Sequence, residues 1–129
     1  MRIMKSNELM LGNWVLYHNL AIQIDAIHKR KVGYHKMPSR LHWIRLNEIQ
    51  PIPLSKYELE LSGFKTTGLE GHVYTYGGYD NIGIGIKADN TIVLYHSSNG
   101  ISSIIEPIKY VHELQNLLAA FKINIKIIV

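Results

Sequence analysis

The strongest constraint on the fold of this chain is a helical hydrophobic period near its C terminus. In the segment PIKYVHELQNLLAAF, residues 107–121, apolar side chains recur on one face at about 100° per residue, which is typical of a half-buried helix. Pro107 suits a first helical position, because no backbone N–H is needed there. We therefore predict a helix over residues 107–121. The predicted buried face comprises Tyr110, Val111, Leu114, Leu117, Leu118 and Phe121, and the predicted polar face comprises Lys109, His112, Glu113, Asn116 and Ala120.

Short strands with tight connections are predicted in residues 1–50. The segments WVLYH (14–18), LAIQIDAIH (20–28), VGYHK (32–36) and LHWIRL (41–46) are strand-like, and Asn19 supplies a tight turn between the first two. Apolar and polar residues alternate in the second and fourth segments. Strands this short and this close together are typical of a small, strongly bent barrel. We therefore predict an SH3-like β-barrel subdomain over residues 1–50.

A proline-containing linker, PIPLS (51–55), predicts the start of a second subdomain over residues 51–129. Ser55 can cap a short helix in KYELELSGF, with Glu58 as its capping-box partner and Gly63 as its terminator. Segments 72–79, 81–87, 91–96 and 100–105 predict an antiparallel meander, and INIKIIV (123–129) predicts an edge strand. The predicted fold class is α+β: an SH3-like small β-barrel followed by an antiparallel sheet packed against one long C-terminal helix.

Composition narrows the class of protein. A length of 129 residues fits one domain, or two subdomains that share a core. Without cysteine, the chain has no disulfide, no thiolate metal site and no cysteine nucleophile. It has no run of eighteen apolar residues, and MRIMKSNELMLGNW lacks the apolar core of a signal peptide. We expect no membrane contact and a cytoplasmic location.

The net charge of +4 is concentrated in the N-terminal part of the chain. Residues 1–50 contain eight Lys and Arg against three acidic residues, whereas residues 51–129 contain six against seven. Cations contact phosphate and aromatic rings stack on bases, so a nucleotide or nucleic-acid ligand is one interpretation of this combination. A hairpin made basic for solubility and a protein partner are the alternatives. The candidate ligand-binding residues in this part are Lys29, Arg30, Lys31, His35, Lys36, Arg40, His42, Trp43 and Arg45, with His28 and Tyr34 close by in sequence.

A second candidate is the glycine- and tyrosine-rich segment YTYGGYDNIGIGIK. If its isoleucines are buried, Gly83 and Gly85 leave the other face of the strand bare, so a planar ligand could approach the backbone. Tyr74, Tyr76 and Tyr79 are the candidate residues for stacking on such a ligand. The alternative is that the glycines accommodate a bend or a large side chain on the neighbouring strand, and we favour it.

No motif indicates catalysis or a metal site. The seven histidines lack HExxH or other ligand spacing, and the serines lack a GxSxG elbow. Glu58 and Glu60 are two residues apart and face different ways on a helix. We therefore predict no enzyme activity, no catalytic residue, no metal and no cofactor.

Three segments resemble a known group of proteins. NELMLGNWV (7–15), PIPL with LSGF (51–54 and 61–64) and IKYVHELQNL (108–117) are similar, in order and spacing, to small proteins encoded in Bacteroidetes genomes, prophages and phages. The resemblance implies an origin in a mobile element. It implies no particular activity, so no catalytic or binding residue is carried over from it.

Together these patterns predict a non-catalytic binding protein for an anionic ligand, a nucleotide-type small molecule or nucleic acid. In one version a phage-derived protein acts as a sponge that sequesters a nucleotide-type host defence signal. The alternatives are a nucleic-acid-binding accessory protein and a protein-interaction or self-assembly module that forms a homo-oligomer.

Overall fold

The backbone turns sharply at His18 and Asn19, whose φ angles are 49° and 63°. Two successive positive φ values are typical of a type I′ hairpin, so the predicted turn at Asn19 is confirmed.

The structure is a computed structural model that describes residues 4–67, 73–79, 82–87, 89–98 and 101–129. Its chain forms two compact units, unit 1 (Met1–Pro53, Tyr110–Lys122 and Val129) and unit 2 (Leu54–Lys109 and Ile123–Ile128).

Unit 1 is built from strands, one helix and two 3-10 turns. Its described elements are β1 (Trp14–Tyr17), β2 (Leu20–Gln23), β3 (Ala26–His28), β4 (Lys31–Met37), β5 (Arg40–Arg45), β6 (Ile49–Pro51), α2 (Val111–Ala120) and the turns Ser6–Glu8 and Leu46–Glu48. The strands form two antiparallel sheets, in the orders β2-β1-β6 and β3-β4-β5. Residues 20–28, predicted as one strand, are divided between these sheets at Ile24 and Asp25.

Both sheets of unit 1 bury their apolar faces in one hydrophobic cluster. The buried members of the cluster are Met4, Leu9, Val15, Ile22, Ile24, Val32, Ile44, Leu46 and Ile49. Ile22 and Ile24, which the alternation of residues 20–28 puts on one face, are both buried. In residues 41–46, Ile44 and Leu46 are buried, whereas His42, in the same alternating set, is exposed. Strand pairing among the described residues leaves two separate three-stranded sheets, not closed into a barrel. The predicted SH3-like barrel is not confirmed, because residue alternation fixes which face is buried and not how two sheets are joined.

The long helix is present but begins four residues later than predicted. Pro107 is the second-to-last residue of strand β11 (Ile101–Ile108), and Tyr110 is the N-cap of α2. The carboxylate of Glu113 accepts the backbone N–H of Tyr110 at 3.0 Å, and the N–H of Val111 donates to the carbonyl of Ile52 at 2.9 Å. These two bonds select the helix start, overriding the preference of proline for a first turn.

The position of α2 also differs from the prediction. The helix belongs to unit 1 and contacts β1, so the predicted cover of the second sheet and the predicted division at residue 50 are not confirmed. An amphipathic pattern requires that a face be buried but does not name the surface that buries it. His112, predicted on the polar face, is only 1 % exposed and stacks on Tyr110 with ring centroids 5.9 Å apart.

A network of side-chain amides, which we call the amide clamp (Asn13, Gln115 and Asn116), joins α2 to the segment before β1. Asn13, which is 2 % exposed, donates to Asn116 at 2.8 Å and accepts the backbone N–H of Met10 at 2.8 Å. Asn116 donates to the carbonyl of Glu8 at 2.9 Å. Gln115 accepts the N–H of Trp14 at 2.9 Å and donates to the carbonyl of Gly12 at 3.0 Å. The polar face of the helix therefore satisfies backbone groups that no strand pairs.

Unit 2 is a short helix followed by an antiparallel meander. Its described elements are α1 (Lys56–Leu61), β7 (Lys65–Thr67), β8 (Val73–Thr75), β9 (Ile82–Ile86), β10 (Ile92–Ser98) and β11, with the strands in the order β11-β10-β9-β8-β7. The meander was predicted, except for β7. Ser55 caps α1 in a capping box with Glu58, and Gly63 follows the helix with a φ of +103°, as predicted. The predicted turn at residues 99–100 lies outside the described residues.

Two further expectations for unit 2 concern Gly85 and the last segment, residues 123–129. A Cβ added to Gly85 would lie 2.5 Å from the ring of Tyr95 on the neighbouring strand, so this glycine accommodates a large side chain, the alternative that we favoured. In the last segment Ile123, Ile125 and Ile127 are buried in alternation, but residues 123–129 form no strand. There the N–H of Ile128 donates to the hydroxyl of Ser62 at 2.8 Å. The segment is held by a side chain, so the predicted edge strand is wrong.

The amide clamp makes the first testable prediction. We expect Asn116→Ala to lower the free energy of unfolding of unit 1 by about 2 kcal/mol, because it leaves the buried Asn13 amide and the Glu8 carbonyl without this partner. Both tryptophans of the chain, Trp14 and Trp43, lie in unit 1, so urea unfolding followed by tryptophan fluorescence measures it. The matched control is Asn124→Ala at an exposed position; an equal loss in both variants would contradict the role of the clamp.

A second prediction concerns the end of α1. Gly63→Ala is expected to destabilise unit 2 by about 1–2 kcal/mol, because the residue has a positive φ and the new Cβ would lie 3.1 Å from the Tyr76 ring. Urea unfolding followed by circular dichroism measures the change. Gly77→Ala is the control, since its Cβ would meet no atom within 4 Å and its φ is not positive. A Gly63 variant as stable as the Gly77 variant would refute this account.

Candidate functional site

Four cations surround one concavity of unit 1. We call it the cationic pocket (Lys5, Arg30, Lys31 and Arg45); its volume is about 610 Å³. Arg30 belongs to the turn between β3 and β4, Lys31 begins β4, and Arg45 ends β5. The backbone N–H of Leu46 donates to the carbonyl of Arg30 at 2.9 Å and ties the turn to the end of β5. Met4, Ser6, Leu46 and Asn47 complete the lining.

Strand register explains why two of these cations are adjacent. Lys31 lies directly opposite Arg45 in the β4–β5 ladder. The neighbouring pair in that ladder, Val32 and Ile44, is buried, so Lys31 and Arg45 point to the outer face of the sheet. Like charges directly opposite each other on a sheet are destabilising. The free protein therefore keeps a repulsive pair at this position.

Nearby carboxylates do not neutralise the pocket. Among the described residues, none of its four cations is within ion-pairing distance of an acidic side chain. Glu48 is close in sequence, but its carboxylate accepts the backbone N–H of Arg45 at 3.1 Å. The pocket is therefore a concentrated positive charge on a concave surface, the arrangement that attracts a phosphate-bearing ligand.

An exposed pair of aromatic rings lies on the same outer face. We call it the ring pair (His28 and Trp43); the ring centroids are 6.5 Å apart, with an interplanar angle of 74°. His28 is opposite Lys31 in the β3–β4 ladder, and Trp43 is opposite Gly33 in the β4–β5 ladder. Trp43 is 44 % exposed. Because Trp43 and Arg45 are two residues apart on one strand, ring and cation project from the same side of the sheet.

The other predicted residues of this part of the chain lie elsewhere. Lys29 is at the tip of the β3–β4 turn with a φ of 54°, and Arg40 is at the opposite end of β5, paired with Met37. His35, Lys36 and His42 line a different concavity. We call it the ring groove (Trp14, Tyr17, Tyr34 and His42, after its principal rings); its volume is about 710 Å³. The residues that the sequence suggested as one site are therefore dispersed. Arg30, Lys31 and Arg45 line the cationic pocket and His35, Lys36 and His42 line the ring groove, whereas Lys29, Arg40 and Trp43 line neither.

The predicted tyrosines of the second segment belong to unit 2. Tyr74 is 3 % exposed and donates its hydroxyl to Glu60 at 3.2 Å. Burial, and next the nearby Glu60 carboxylate, raise the pKa of the Tyr74 hydroxyl. Its ring is inside the unit and presents no face for stacking. Tyr76 contacts Phe64 and Tyr79, with centroids 5.3 Å and 6.1 Å away, so these rings form a local aromatic cluster.

Sequence reasoning missed three contributors. Lys5 joins the cationic pocket from a segment far from the other cations in sequence, and no local signal connects them. Trp14 and Tyr17 line the ring groove but were read only as strand residues. Alternation on β1 gives no signal for this, because residues three apart on a strand point to opposite faces.

The part of the chain that the structure describes offers no metal site and no membrane-spanning helix. It contains no group of three or more histidine, aspartate or glutamate side chains placed to hold a metal ion. None of its helices has both the length and the apolar character needed to cross a membrane. Comparison with protein-family models, curated proteins and solved structures finds no match. The arrangement of this chain's own residues therefore carries the functional argument.

The third prediction is that the repulsion between Lys31 and Arg45 lowers the free energy of unfolding of unit 1. Lys31→Gln is expected to raise the free energy of unfolding by about 0.5 kcal/mol, because it removes the repulsion from Arg45. Urea unfolding followed by tryptophan fluorescence measures the gain. Lys36→Gln, on the same strand but without a cation opposite it, is the control and should leave stability unchanged. A loss of stability in the Lys31 variant would show that the two cations do not repel each other as placed.

Proposed function

We propose that unit 1 is a non-catalytic binding module for a nucleotide-type anion, which it holds at the cationic pocket. The observation that carries the proposal is the cross-strand pair of Lys31 and Arg45, with Arg30 and Lys5 around the same concavity. Uncompensated like charge is costly in the free protein and is relieved when an anion binds. Two guanidinium groups favour phosphate, because each planar fork can donate two hydrogen bonds to its oxygens.

The ring pair supports a nucleotide over inorganic phosphate. Trp43 is nearly half exposed and lies on the same face as Arg45. An exposed tryptophan beside a phosphate site offers a surface on which a base can stack, a contact worth about 1–3 kcal/mol in single-stranded nucleic-acid complexes. His28 borders the same surface. Phosphate in the pocket and a base on Trp43 together account for both features.

We further propose that unit 1 is an SH3-like module. The strand orders β2-β1-β6 and β3-β4-β5, the continuous segment 20–28 that serves both sheets, and the 3-10 turn Leu46–Glu48 before β6 support this reading. Small folds of this kind serve many unrelated functions, so the fold adds no ligand of its own. The cationic pocket remains the basis of the functional proposal.

In its biological form, the proposal is that the protein acts as a sponge, which binds and sequesters its ligand. The resemblance to phage-encoded proteins supports sequestration of a nucleotide-type host defence signal in the host cell cytoplasm, without cleavage. Nucleic acid is the second candidate ligand, because cations and rings lie together on an exposed sheet face. A protein-interaction or self-assembly module is the alternative if no anion binds.

Calorimetric titration tests the proposal. Wild-type protein is titrated with pyrophosphate, ATP, a cyclic dinucleotide and an oligothymidylate at several salt concentrations. We expect a nucleotide to bind, and both Arg45→Gln and Lys31→Gln to weaken it at least tenfold, since each charged hydrogen bond contributes about 1.5–3 kcal/mol. Trp43→Leu should weaken nucleotides while leaving pyrophosphate binding unchanged.

Arg40→Gln is the matched control, because Arg40 lies on the same strand as Arg45 but at its other end. If Arg40→Gln and Arg45→Gln weaken binding equally, only net charge matters and the pocket is not the site. Nucleic acid is the ligand if the oligothymidylate binds best and the slope of log K against log salt is about −3, the value for four neutralised phosphates. Failure of every anion to bind refutes the proposal.

A further inference from the structure

The ring groove differs from the cationic pocket in both shape and charge. Tyr34 lies 6.0 Å from Tyr17 and 5.5 Å from His42 between ring centroids, and His18 lies 4.2 Å from Tyr17. Tyr17 and Tyr34 pack against the hydrophobic cluster of unit 1 on one side, so their positions are supported from below. The rings tilt against one another, at 54° to 76°, which leaves ring faces and edges on the open side.

Hydrogen-bond acceptors converge on this groove. One oxygen of Asp25, Oδ2, accepts the backbone N–H of His35 at 3.1 Å and lies 2.8 Å from its ring Nδ1. The other oxygen, Oδ1, makes no hydrogen bond within the described part of the chain. Gln23 uses its amide N–H to donate to the carbonyl of Gly12 at 3.0 Å, so its amide oxygen is left for a ligand. The groove thus offers a carboxylate and an amide oxygen next to aromatic rings.

The charge of the groove does not suit a phosphate. Its lining contains one carboxylate, Asp25, whose Oδ2 is paired with the His35 ring, together with one ammonium group, Lys36, and the imidazoles of His18 and His42. The cationic pocket has four cations. An apolar ligand would cover the carboxylate without replacing its water, at a free-energy cost. A ligand that is flat, cationic and rich in hydrogen-bond donors satisfies the rings and the acceptors together. The guanidinium group has these properties, whereas an ammonium group is not planar.

We propose that the ring groove binds an arginine side chain of a partner polypeptide. The guanidinium plane stacks on one ring of the Tyr34 and His42 pair, because the two rings stand at 76° to each other. It donates to Asp25 Oδ1 and to the amide oxygen of Gln23. A volume of about 710 Å³ matches a ligand much larger than one side chain, so residues flanking the arginine occupy the rest of the groove. This site is independent of the cationic pocket, and it uses rings that the anion proposal leaves aside.

Trp14 lines the groove and reports binding directly. In a Trp43→Phe background it is the only tryptophan of the chain, which has two. The probes are acetyl-Gly-Arg-Gly-amide, the same tripeptide with citrulline or lysine, and free argininamide. We expect the arginine peptide to change Trp14 fluorescence and to bind at least tenfold more tightly than the citrulline peptide, which has nearly the same shape without the charge.

Two variants with opposite effects separate binding from folding. Asp25→Asn should weaken the arginine peptide at least tenfold, because it removes the carboxylate. Lys36→Met should tighten it severalfold, because it removes the one competing ammonium group in the lining. A folding defect would weaken binding in both variants and could not produce a gain in either.

Three outcomes would overturn the proposal. Equal binding of the arginine and citrulline peptides would show that charge is not recognised, and weaker binding in Lys36→Met would show that the groove takes an anion. Argininamide binding as tightly as the tripeptide would refute the polypeptide assignment, because the flanking residues would then contribute nothing.

Discussion

The amide clamp is the interaction on which the arrangement of unit 1 depends. Asn13 is buried, and its side chain is satisfied by Asn116 on α2 and by the backbone of its own segment. Gln115 and Asn116 in turn bind the carbonyls of Gly12 and Glu8. A buried polar network of this kind stabilises only when every member has its partner, and it then specifies a single geometry. It joins parts of the chain separated by about a hundred residues, and so places the helix on β1.

The clamp also involves two of the three segments on which the expected family resemblance rests. NELMLGNWV contains Glu8, Gly12 and Asn13, and IKYVHELQNL contains Gln115 and Asn116. The third segment, PIPL, contributes the carbonyl of Ile52, which accepts the N–H of Val111. Hydrogen bonds from the first turn and the middle of α2 therefore reach both NELMLGNWV and PIPL. Both candidate binding sites use residues largely outside these segments.

The frame that the clamp and the hydrophobic cluster support carries two chemically different surfaces. On the outer face of β3-β4-β5, the repulsion between Lys31 and Arg45 persists because the buried pair beside it fixes the register. On the other side, Tyr17 and Tyr34 rest on the cluster and form the floor of the ring groove. A rigid core can hold charges and rings in arrangements that are unfavourable by themselves, which is a common property of binding sites.

Local chemistry was readable from the sequence where it depends on neighbours along the chain. The capping box of Ser55 and Glu58 and the turn at Asn19 both follow from interactions within a few residues. The start of α2 was misread, because Pro107 is a local signal while the bond between Val111 and Ile52 is a distant one. The burial of His112 was missed for the same reason.

By itself the sequence determined most of the strands, the capping of α1, the excess of cations in residues 1–50 and the absence of cysteine chemistry, because periodicity, capping and composition are properties of the chain as written. Only the tertiary structure decided which surface α2 covers, that Lys5 joins Arg30, Lys31 and Arg45, and that His35, Lys36 and His42 belong to a different concavity. The physical reason is that strand register sends alternate residues to opposite faces, so neighbours in sequence separate and distant residues meet.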